Sequence, residues 1–248
     1  IVSLVELERQ VTNFKKLFPA DTKFSYSYKT NYLKPIIKFL NSNSFLSEVV
    51  SPFEVAITKE YGIDPKKIVF NGPAKNYDSI NYVLSNSGLV QIDNFSDLEI
   101  IERIVASGIQ ARVGIRLNLS YFDKLLFTRF GFDVNNQEFK SLVNRINLNK
   151  NISLETIHTH IASRSISSFR AQFEALTSVL KNNKILHRIK YINIGGGFPS
   201  KLNKFLEKQI KPKFNNQTFS KELINFLNIA KKLLITLIYQ LWLNQEQV

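Results

Sequence analysis

Residues 89–118, which read LVQIDNFSDLEIIERIVASGIQARVGIRLN, decide the fold that this sequence predicts. Two apolar runs, Leu89 to Asp93 and Arg112 to Asn118, have the length and β-branched content of buried strands. Between them, apolar residues recur at helical spacing from Phe95 to Ala106. A strand, a helix and a second strand in succession form the unit that joins two parallel strands.

The ends of the predicted helix carry recognisable signals. Ser96 followed by Glu99 has the spacing of a capping box, which satisfies free N–H groups at a helix start. Ser107-Gly108 has the composition of a helix end, and Ser87-Gly88 gives the same signal for the preceding helix. These boundaries agree with the apolar pattern.

The same alternation continues along the chain. Eight short runs predict strands: Phe24 to Lys29, Glu48 to Ser51, Lys67 to Asn71, Leu89 to Asp93, Arg112 to Asn118, Leu154 to His160, Tyr191 to Gly196 and Lys232 to Leu237. Seven longer stretches predict helices: Tyr32 to Leu40, Pro52 to Tyr61, Tyr77 to Ser85, Phe95 to Ala106, Asn136 to Ile146, Ser167 to Lys181 and Phe219 to Ala230. Eight strand units in 248 residues predict an α/β protein with a (β/α)8 TIM barrel, and an open doubly wound sheet of six or seven strands is the alternative. In a barrel the carboxyl ends of all strands meet at one rim, so function is expected there.

Composition excludes several classes of protein. The 44% hydrophobic content excludes a disordered chain, and the absence of Cys excludes disulfides, a thiolate zinc site and a cysteine nucleophile in this chain. The net charge of +13 comes from scattered pairs such as Lys15-Lys16 rather than from a basic run, which disfavours a nucleic-acid partner. No run is long and apolar enough for a membrane span, and no signal peptide is recognisable. We therefore expect a soluble, cytoplasmic protein that binds neither nucleic acid nor membrane.

Charged residues stand at the predicted strand ends. Lys29 closes the first run, Glu48 opens the second and Arg116 lies in the fifth. A lysine at the end of an apolar strand usually extends to solvent. At a barrel mouth, however, desolvation lowers the pKa of such a lysine and frees its amine to form a Schiff base. Both interpretations of Lys29 stay open on its position alone.

Two further motifs end later strands. His158 and His160 lie two residues apart on a strand and so point to one face, a spacing also found in metal sites, but no nearby Asp, Glu or Cys completes a ligand set. We expect one core or stacking histidine, one histidine at the pocket mouth, and no metal. The glycines Gly195 to Gly197 lack the GxGxxG dinucleotide pattern. They suit either close approach of an anion, above all a phosphate, or an ordinary exit from a strand.

Six motifs together resemble the fold-type III, alanine-racemase-like family of pyridoxal-phosphate (PLP) decarboxylases, which includes ornithine and diaminopimelate decarboxylases. The motifs are Tyr26 to Asn31, Glu48 to Glu54, Ile68 to Lys75, Thr128 to Phe132, Ile157 to Ser163 and Ile192 to Pro199. They extend over about residues 20 to 200, and their order and spacing are specific where each motif alone is weak.

The resemblance implies a cofactor, pyridoxal 5′-phosphate, and two catalytic residues. Lys29 matches the lysine that holds this cofactor as a Schiff base, and His160 matches the histidine that stacks on its ring. Glu48 and Arg116 match positions beside the cofactor, and Glu54 matches a further carboxylate of the family.

The resemblance also implies how the phosphate and the substrate are bound. Ser163 and the glycines Gly195, Gly196 and Gly197 match the phosphate-binding groups, although a serine in such a place is also a good helix or turn cap. Arg164 departs from the usual glutamine or glycine. We expect it to face a carboxylate of the substrate, and a surface arginine is the alternative.

The C-terminal part departs from the family. Lys231 to Gln240 contains no counterpart of the Glu-Pro-Gly segment that closes the family's eighth strand, and the family's C-terminal β-domain is missing. We expect residues 1–20 to form a lead-in helix, residues 21–240 the cofactor-binding barrel and residues 241–248 a tail. Because Met is also absent, we expect the sequence to be part of a longer, homodimeric enzyme, and a decayed gene fragment is the alternative.

The implied activity is that of a carboxy-lyase. The substrate would be an L- or meso-amino acid such as ornithine or diaminopimelate, which belongs to polyamine or lysine biosynthesis. A siderophore-precursor decarboxylase and an amino-acid racemase of the same fold are alternatives. A non-enzyme alternative is an inactive, decarboxylase-like protein that regulates a partner, and the retained Lys29 and glycine loop argue against it.

Overall fold

A computed structural model describes residues 3–16, 18–161, 165–182, 189–196 and 217–229 of the chain. The strands are β1 (Ser25–Ser27), β2 (Leu46–Val49), β3 (Ile68–Phe70), β4 (Leu89–Ile92), β5 (Ala111–Asn118), β6 (Phe132–Asp133), β7 (Ile152–His158) and β8 (Tyr191–Asn193). The helices are α1 (Leu4–Lys15), α2 (Lys34–Ser42), α3 (Pro52–Glu60), α4 (Tyr77–Ser85), α5 (Phe95–Val105), α6 (Gln137–Leu148), α7 (Ile166–Asn182) and α8 (217–229).

The strands form one parallel sheet in the order β1-β2-β3-β4-β5-β7-β8, with the short β6 paired to the end of β5. Neighbours in this sheet follow chain order without the reversal that defines a doubly wound sheet, which is the arrangement of a barrel. The structure thus confirms the α/β class and the barrel-type succession of strands and helices. The predicted eighth barrel strand, Lys232 to Leu237, lies outside the described residues.

Helix ends follow the predicted chemistry with one correction. The capping box predicted at Ser96 is wrong, because the N-cap of α5 is Asn94, whose side chain accepts a hydrogen bond from the backbone N–H of Asp97 at 3.1 Å. The chain leaves β4 at Ile92, so the short turn places Asn94 in the extended conformation that a cap requires and Ser96 inside the helix. The predicted helix ends are confirmed: Ser87 and Gly108 both have positive φ.

Helix α1 packs against the amino-terminal side of the sheet. Leu7 and Val11 contact the small apolar cluster formed by Ile36, Leu40 and Phe45. The Nζ atom of Lys15 donates a hydrogen bond to the carbonyl of Asn43 at 2.9 Å. The larger core lies between the sheet and helices α2 to α8. None of the helices in the described parts of the chain is long and apolar enough to cross a membrane.

A β-bulge in β7 sets the register of the central strand pair. Val113 pairs with Leu154, whereas Gly114 pairs with Thr156, so Glu155 is the extra residue. Burial raises the pKa of the Glu155 carboxyl, but hydrogen bonds from Arg112 and Lys190 outweigh that effect and bring the pKa below its ordinary value. The hydrogen bonds from Arg112 and Lys190 therefore stabilise the bulge.

The bulge aligns two polar layers inside the sheet. In the lower layer Gln91, Gly114 and Thr156 are neighbours across β4, β5 and β7, and the Gln91 amide donates a hydrogen bond to the Thr156 hydroxyl at 2.8 Å. A Cβ atom at Gly114 would overlap both the Gln91 amide and the Thr156 hydroxyl. Only glycine leaves room for this buried hydrogen bond. Two residues further along the strands, Arg116 pairs with His158 in the layer nearest the rim.

We predict that Gly114→Ala lowers the free energy of unfolding by about 2–4 kcal/mol, because the added methyl group overpacks the layer and separates Gln91 from Thr156. Urea unfolding measures the change. The matched test is Gln91→Ala in the Gly114→Ala background, which removes one of the two side chains that the methyl group meets. If the double variant is no more stable than the sum of the two single effects predicts, the overlap is not the cause.

Candidate functional site

Lys29 lies at the carboxyl-terminal rim of the sheet, as predicted. It follows β1 in a turn, and its side chain is exposed. The backbone N–H of Tyr28 donates to the carbonyl of Glu48 at 3.0 Å, which fixes this turn against β2. The positive charge of Lys29 lies close enough to the carboxyls of Glu48 and Glu54 to favour their ionised forms. The structure therefore places a lysine amine beside two carboxyl groups.

Glu48 is a partly buried carboxyl on β2. Burial raises its pKa above the ordinary value, and this effect exceeds the opposing influence of the Lys29 charge and of hydrogen bonds from Ser27 and Asn71. The Ser27 hydroxyl donates to Oε1 of Glu48 at 3.3 Å. Glu48 is thus held in place by β1 and by the end of β3, with its acidity reduced.

Glu54 is buried in the first turn of α3. Its Oε2 accepts a hydrogen bond from the backbone N–H of Val50 at 2.7 Å, and Ser51 caps the helix through the backbone N–H of Glu54 at 3.2 Å. Burial raises the pKa of Glu54, and the Val50 hydrogen bond and the Lys29 charge oppose that rise. The carboxyl therefore fixes the loop that follows β2.

His158 is a buried histidine at the end of β7. Asn71 Oδ1 accepts the backbone N–H of Gly72 at 2.9 Å, so Asn71 Nδ2 is the atom that donates to His158 Nε2 at 3.1 Å. Burial first, and then the charges of Arg116 and His160, lower the pKa of His158 to about 3. Its ring is neutral, with Nε2 as an acceptor.

His160 lies just beyond β7, with its ring plane 14° from that of His158 and the ring centroids 6.5 Å apart. The expectation that both rings point to one side is confirmed, and His158 is the core member of the pair. The backbone N–H of Gly196 approaches His160 Nδ1 at 3.4 Å. The loops after β7 and β8 therefore meet at this ring.

Gly195 and Gly196 form a backbone cradle at the end of β8. Gly195 has φ +75°, and a Cβ atom there would lie 2.6 Å from the carbonyl of Thr159 and 2.7 Å from His160 Nδ1. A Cβ atom at Gly196 would meet no atom of the described residues within 4 Å. One glycine thus permits close packing of two loops, and the next faces open space in the described structure, which suits close approach of an anion.

A buried group of charges lies behind the rim, and the sequence alone did not reveal it. Arg116 Nη1 contacts Asp93 Oδ2 at 3.1 Å, and its guanidinium lies 4.8 Å from the centre of the Phe130 ring. Lys75 Nζ contacts Asp97 Oδ2 at 2.7 Å. Burial lowers the pKa of Lys75 and raises that of Asp97, while their mutual attraction opposes both shifts. Arg116 is therefore a paired cation next to His158, on the interior side of the site.

The site residues that the sequence analysis did not identify have one sequence feature in common. Asn71, Lys75 and Asp93 stand at or just after apolar runs, where barrel strands end. Their pairing with His158, Asp97 and Arg116 depends on strand register, which a single sequence does not specify.

Three of the predicted site residues, Ser163, Arg164 and Gly197, lie outside the described residues. Within the described ranges no group of three or more His, Asp or Glu side chains is arranged to hold a metal ion.

Comparison with known families gives one extensive match. The sequence pattern of the family described as pyridoxal-dependent decarboxylase, pyridoxal binding domain, matches residues 4–233. A diaminopimelate decarboxylase of Aquifex aeolicus is 26% identical over 197 residues, which cover 74% of this chain and 46% of that protein. Antizyme inhibitor 2 of Xenopus laevis is 24% identical over 211 residues, which cover 80% of this chain and 43% of that protein. The chain spans about half the length of these relatives.

Solved structures share the fold. A point mutant of the Helicobacter pylori diaminopimelate decarboxylase complexed with L-lysine superposes with a TM-score of 0.74 at 21% identity, over 89% of this chain and 57% of that one. The arginine decarboxylase of Paramecium bursaria Chlorella virus superposes with a TM-score of 0.66 at 17% identity, over 89% of this chain and 56% of that one. At these identities the likeness supports the fold and does not distinguish between substrates.

We predict that His158 makes the protein lose stability as the pH falls below neutrality. The unfolded chain takes up a proton near the ordinary histidine pKa of about 6.5, whereas folded His158 resists protonation until about pH 3. Stability from the neutral ring is therefore fully present above pH 6.5 and is lost as the pH falls toward 3. Between pH 7 and pH 5 the loss is about 2 kcal/mol.

The measurement is urea unfolding of the parent protein and of His158→Gln at several pH values between 7 and 5. Glutamine keeps an acceptor for Asn71 but does not titrate, so the difference between the two slopes isolates His158 from the carboxyls with raised pKa. Parallel slopes would contradict the prediction.

Proposed function

The chain belongs to the pyridoxal-dependent decarboxylases, matching their pyridoxal-binding domain, and we propose that it binds pyridoxal 5′-phosphate at Lys29 and acts in the decarboxylation of a diamino acid. The observation that carries the proposal is that Lys29, His160 and the Gly195 loop all lie just past the carboxyl ends of strands, β1, β7 and β8, of one parallel sheet. The rim of a parallel sheet is where such folds bind cofactors.

The described residues fit this cofactor. Gly196 faces open space in the described structure, which leaves room for a phosphate at the backbone of this loop. His160 offers a partly exposed ring next to that loop, as the flat pyridine ring requires. Lys29 offers an exposed primary amine at the end of β1, as the aldehyde requires.

We assign each residue a role in the chemistry of the site. Once bound, pyridoxal phosphate supplies an electron sink that stabilises the carbanion left by loss of CO2. Lys29 attaches the cofactor, and the carboxyls of Glu48 and Glu54, whose pKa values burial raises, lie near its amine. His160 supports the ring. Arg116, paired with Asp93, supplies positive charge behind His158, and Gly195 to Gly197 with Ser163 receive the phosphate.

The proposed substrate is diaminopimelate, with ornithine as the first alternative. Support for diaminopimelate comes from relatives that carry the name diaminopimelate decarboxylase, at 26% identity for Aquifex aeolicus and 28% for Helicobacter pylori. Arg164 is our candidate for binding the distal carboxylate of that substrate. The proposal includes a homodimer and a place in lysine biosynthesis, with polyamine biosynthesis following if the substrate is ornithine.

A second candidate function is regulatory. One relative is named Antizyme inhibitor 2, a name that states an inhibitory role, and it matches 80% of this chain. Under this alternative the protein would bind a partner without turnover. Lys29 at the rim and the open space beside Gly196 favour the enzyme, because a protein that binds no cofactor requires neither.

We predict that pyridoxal 5′-phosphate added to the purified protein produces an absorbance band above 400 nm that borohydride abolishes, with peptide mass spectrometry placing the reduced adduct on Lys29. Lys29→Ala removes both signals because no other amine occupies that position. Lys34→Ala is the matched control: it removes an exposed lysine five residues away and leaves the band unchanged. An adduct spread over surface lysines in the parent protein would contradict the assignment.

We further predict that the protein releases CO2 from meso-diaminopimelate faster than from ornithine, lysine or arginine, because only diaminopimelate has a distal carboxylate for Arg164. Arg164→Gln, which introduces a residue usual in the family, lowers the preference for diaminopimelate at least about tenfold, the scale on which a site that pairs with a polar group of its substrate discriminates. A preference for ornithine in the parent protein would identify the alternative substrate. Cofactor binding without CO2 release from any of the four would favour the regulatory function.

A further inference from the structure

We propose that Gln172 is a positioning residue that joins the loop carrying His160 to the loop carrying Gly195, and thereby sets the geometry in which the phosphate of the cofactor is bound. This inference rests on the proposed function. It concerns a helix residue outside the six motifs that indicated the family.

Gln172 lies in the middle of α7 with no exposed surface. Its Nε2 atom donates one hydrogen bond to the Thr159 hydroxyl at 2.5 Å and another to the carbonyl of Ile194 at 3.0 Å. Thr159 immediately precedes His160, and Ile194 immediately precedes Gly195. A single amide group therefore spans the two loops one residue before each proposed cofactor contact.

The backbone pairing between β7 and β8 ends just before Ile194, the residue whose carbonyl Gln172 contacts. The register runs from Thr156 paired with Tyr191 to His158 paired with Asn193, and the last backbone contact is the Thr159 N–H to the Asn193 carbonyl at 2.9 Å. Past this point the amide of Gln172 ties Ile194 to the β7 side. The Asn193 side chain adds a local contact by accepting the N–H of Gly195 at 2.9 Å.

Most of the neighbours of Gln172 on α7 are apolar, so packing alone does not explain its amide. Phe169, Phe173 and Leu176, at neighbouring positions of α7, are buried. A leucine of similar size would avoid the cost of burying an amide among them. Unlike leucine, the amide supplies two directed N–H donors.

The spacing of the two loops leaves little freedom at Gly195. The place of its missing Cβ lies 2.6 Å from the Thr159 carbonyl and 2.7 Å from His160 Nδ1. A shift of the Gly195 loop would move the backbone at Gly196, beside which the described structure leaves open space for a phosphate, and hydrogen bonds to an anion weaken steeply when their direction changes. Loss of the Gln172 contacts therefore weakens phosphate binding and leaves the reactivity of the Lys29 amine unchanged.

The test compares two ligands, pyridoxal 5′-phosphate and pyridoxal, which differ only in the phosphate. Dissociation constants are measured by absorbance titration for the parent protein, Gln172→Leu and Thr159→Val. We expect Gln172→Leu to weaken pyridoxal 5′-phosphate at least about tenfold while pyridoxal changes less than about twofold. Thr159→Val removes one of the two hydrogen bonds and is expected to weaken pyridoxal 5′-phosphate about threefold.

Gln91→Leu is the matched control. Gln91 is an equally buried glutamine that donates to a threonine hydroxyl, Thr156, but it lies in the lower interior layer and contacts neither loop. We expect this variant to keep the parent ratio of the two dissociation constants. A circular dichroism spectrum establishes that each variant is folded, and Thr159→Val, the smaller change, decides the question if Gln172→Leu does not fold.

The outcomes separate the two proposals. If the parent protein binds neither ligand, both the proposed function and the proposed role of Gln172 are overturned. If the parent binds both, and the Gln172 and Thr159 variants weaken both ligands equally or neither, the positioning role is overturned while cofactor binding stands. A selective loss of pyridoxal 5′-phosphate in these variants, absent from Gln91→Leu, supports the inference.

Discussion

The bulge at Glu155 is the constraint on which the site depends. Side chains alternate between the two faces of a strand, so a one-residue change of register exchanges them. Because Glu155 is looped out of the pairing, Thr156 lies opposite Gly114 and His158 lies opposite Arg116. Hydrogen bonds to Arg112 and Lys190 hold Glu155 in that position. The position of Glu155 therefore sets the alignment of the two interior polar layers and of the loop that carries His160.

Beyond the bulge, buried ion pairs lie next to a histidine that stays uncharged. Arg116 and Lys75 are each paired with a carboxylate, Asp93 and Asp97, so these buried cations bring their own counter-charges. His158 remains uncharged between Arg116 and the ring of His160, since burial and the neighbouring positive charges both oppose its protonation. A neutral ring therefore lies beside His160, and its charge does not change through the physiological pH range.

The sequence was sufficient to predict the helices and strands, but not the register in which the strands pair. Apolar runs such as Leu89 to Asp93 and amphipathic stretches such as Phe95 to Ala106 are local signals, and both elements formed where they were predicted. The cap of α5 was misplaced by two residues because Asn94 and Ser96 are both good caps and only the length of the turn selects between them. The bulge and the Asn71–His158 contact depend on long-range register. Lys29 was recognisable by its motif, whereas Gln172 belongs to no motif.

The order of the site residues along the chain bears on synthesis at the ribosome. Lys29 follows the first strand and Gly195 follows the last strand that the structure describes. At typical elongation rates, roughly ten to thirty seconds separate the emergence of these two residues. Under the proposed assignments, a nascent chain presents its reactive amine well before it has a place for the phosphate. Retention of the cofactor therefore reports that the sheet has been completed from β1 to β8, and partly made chains are left as targets for quality control.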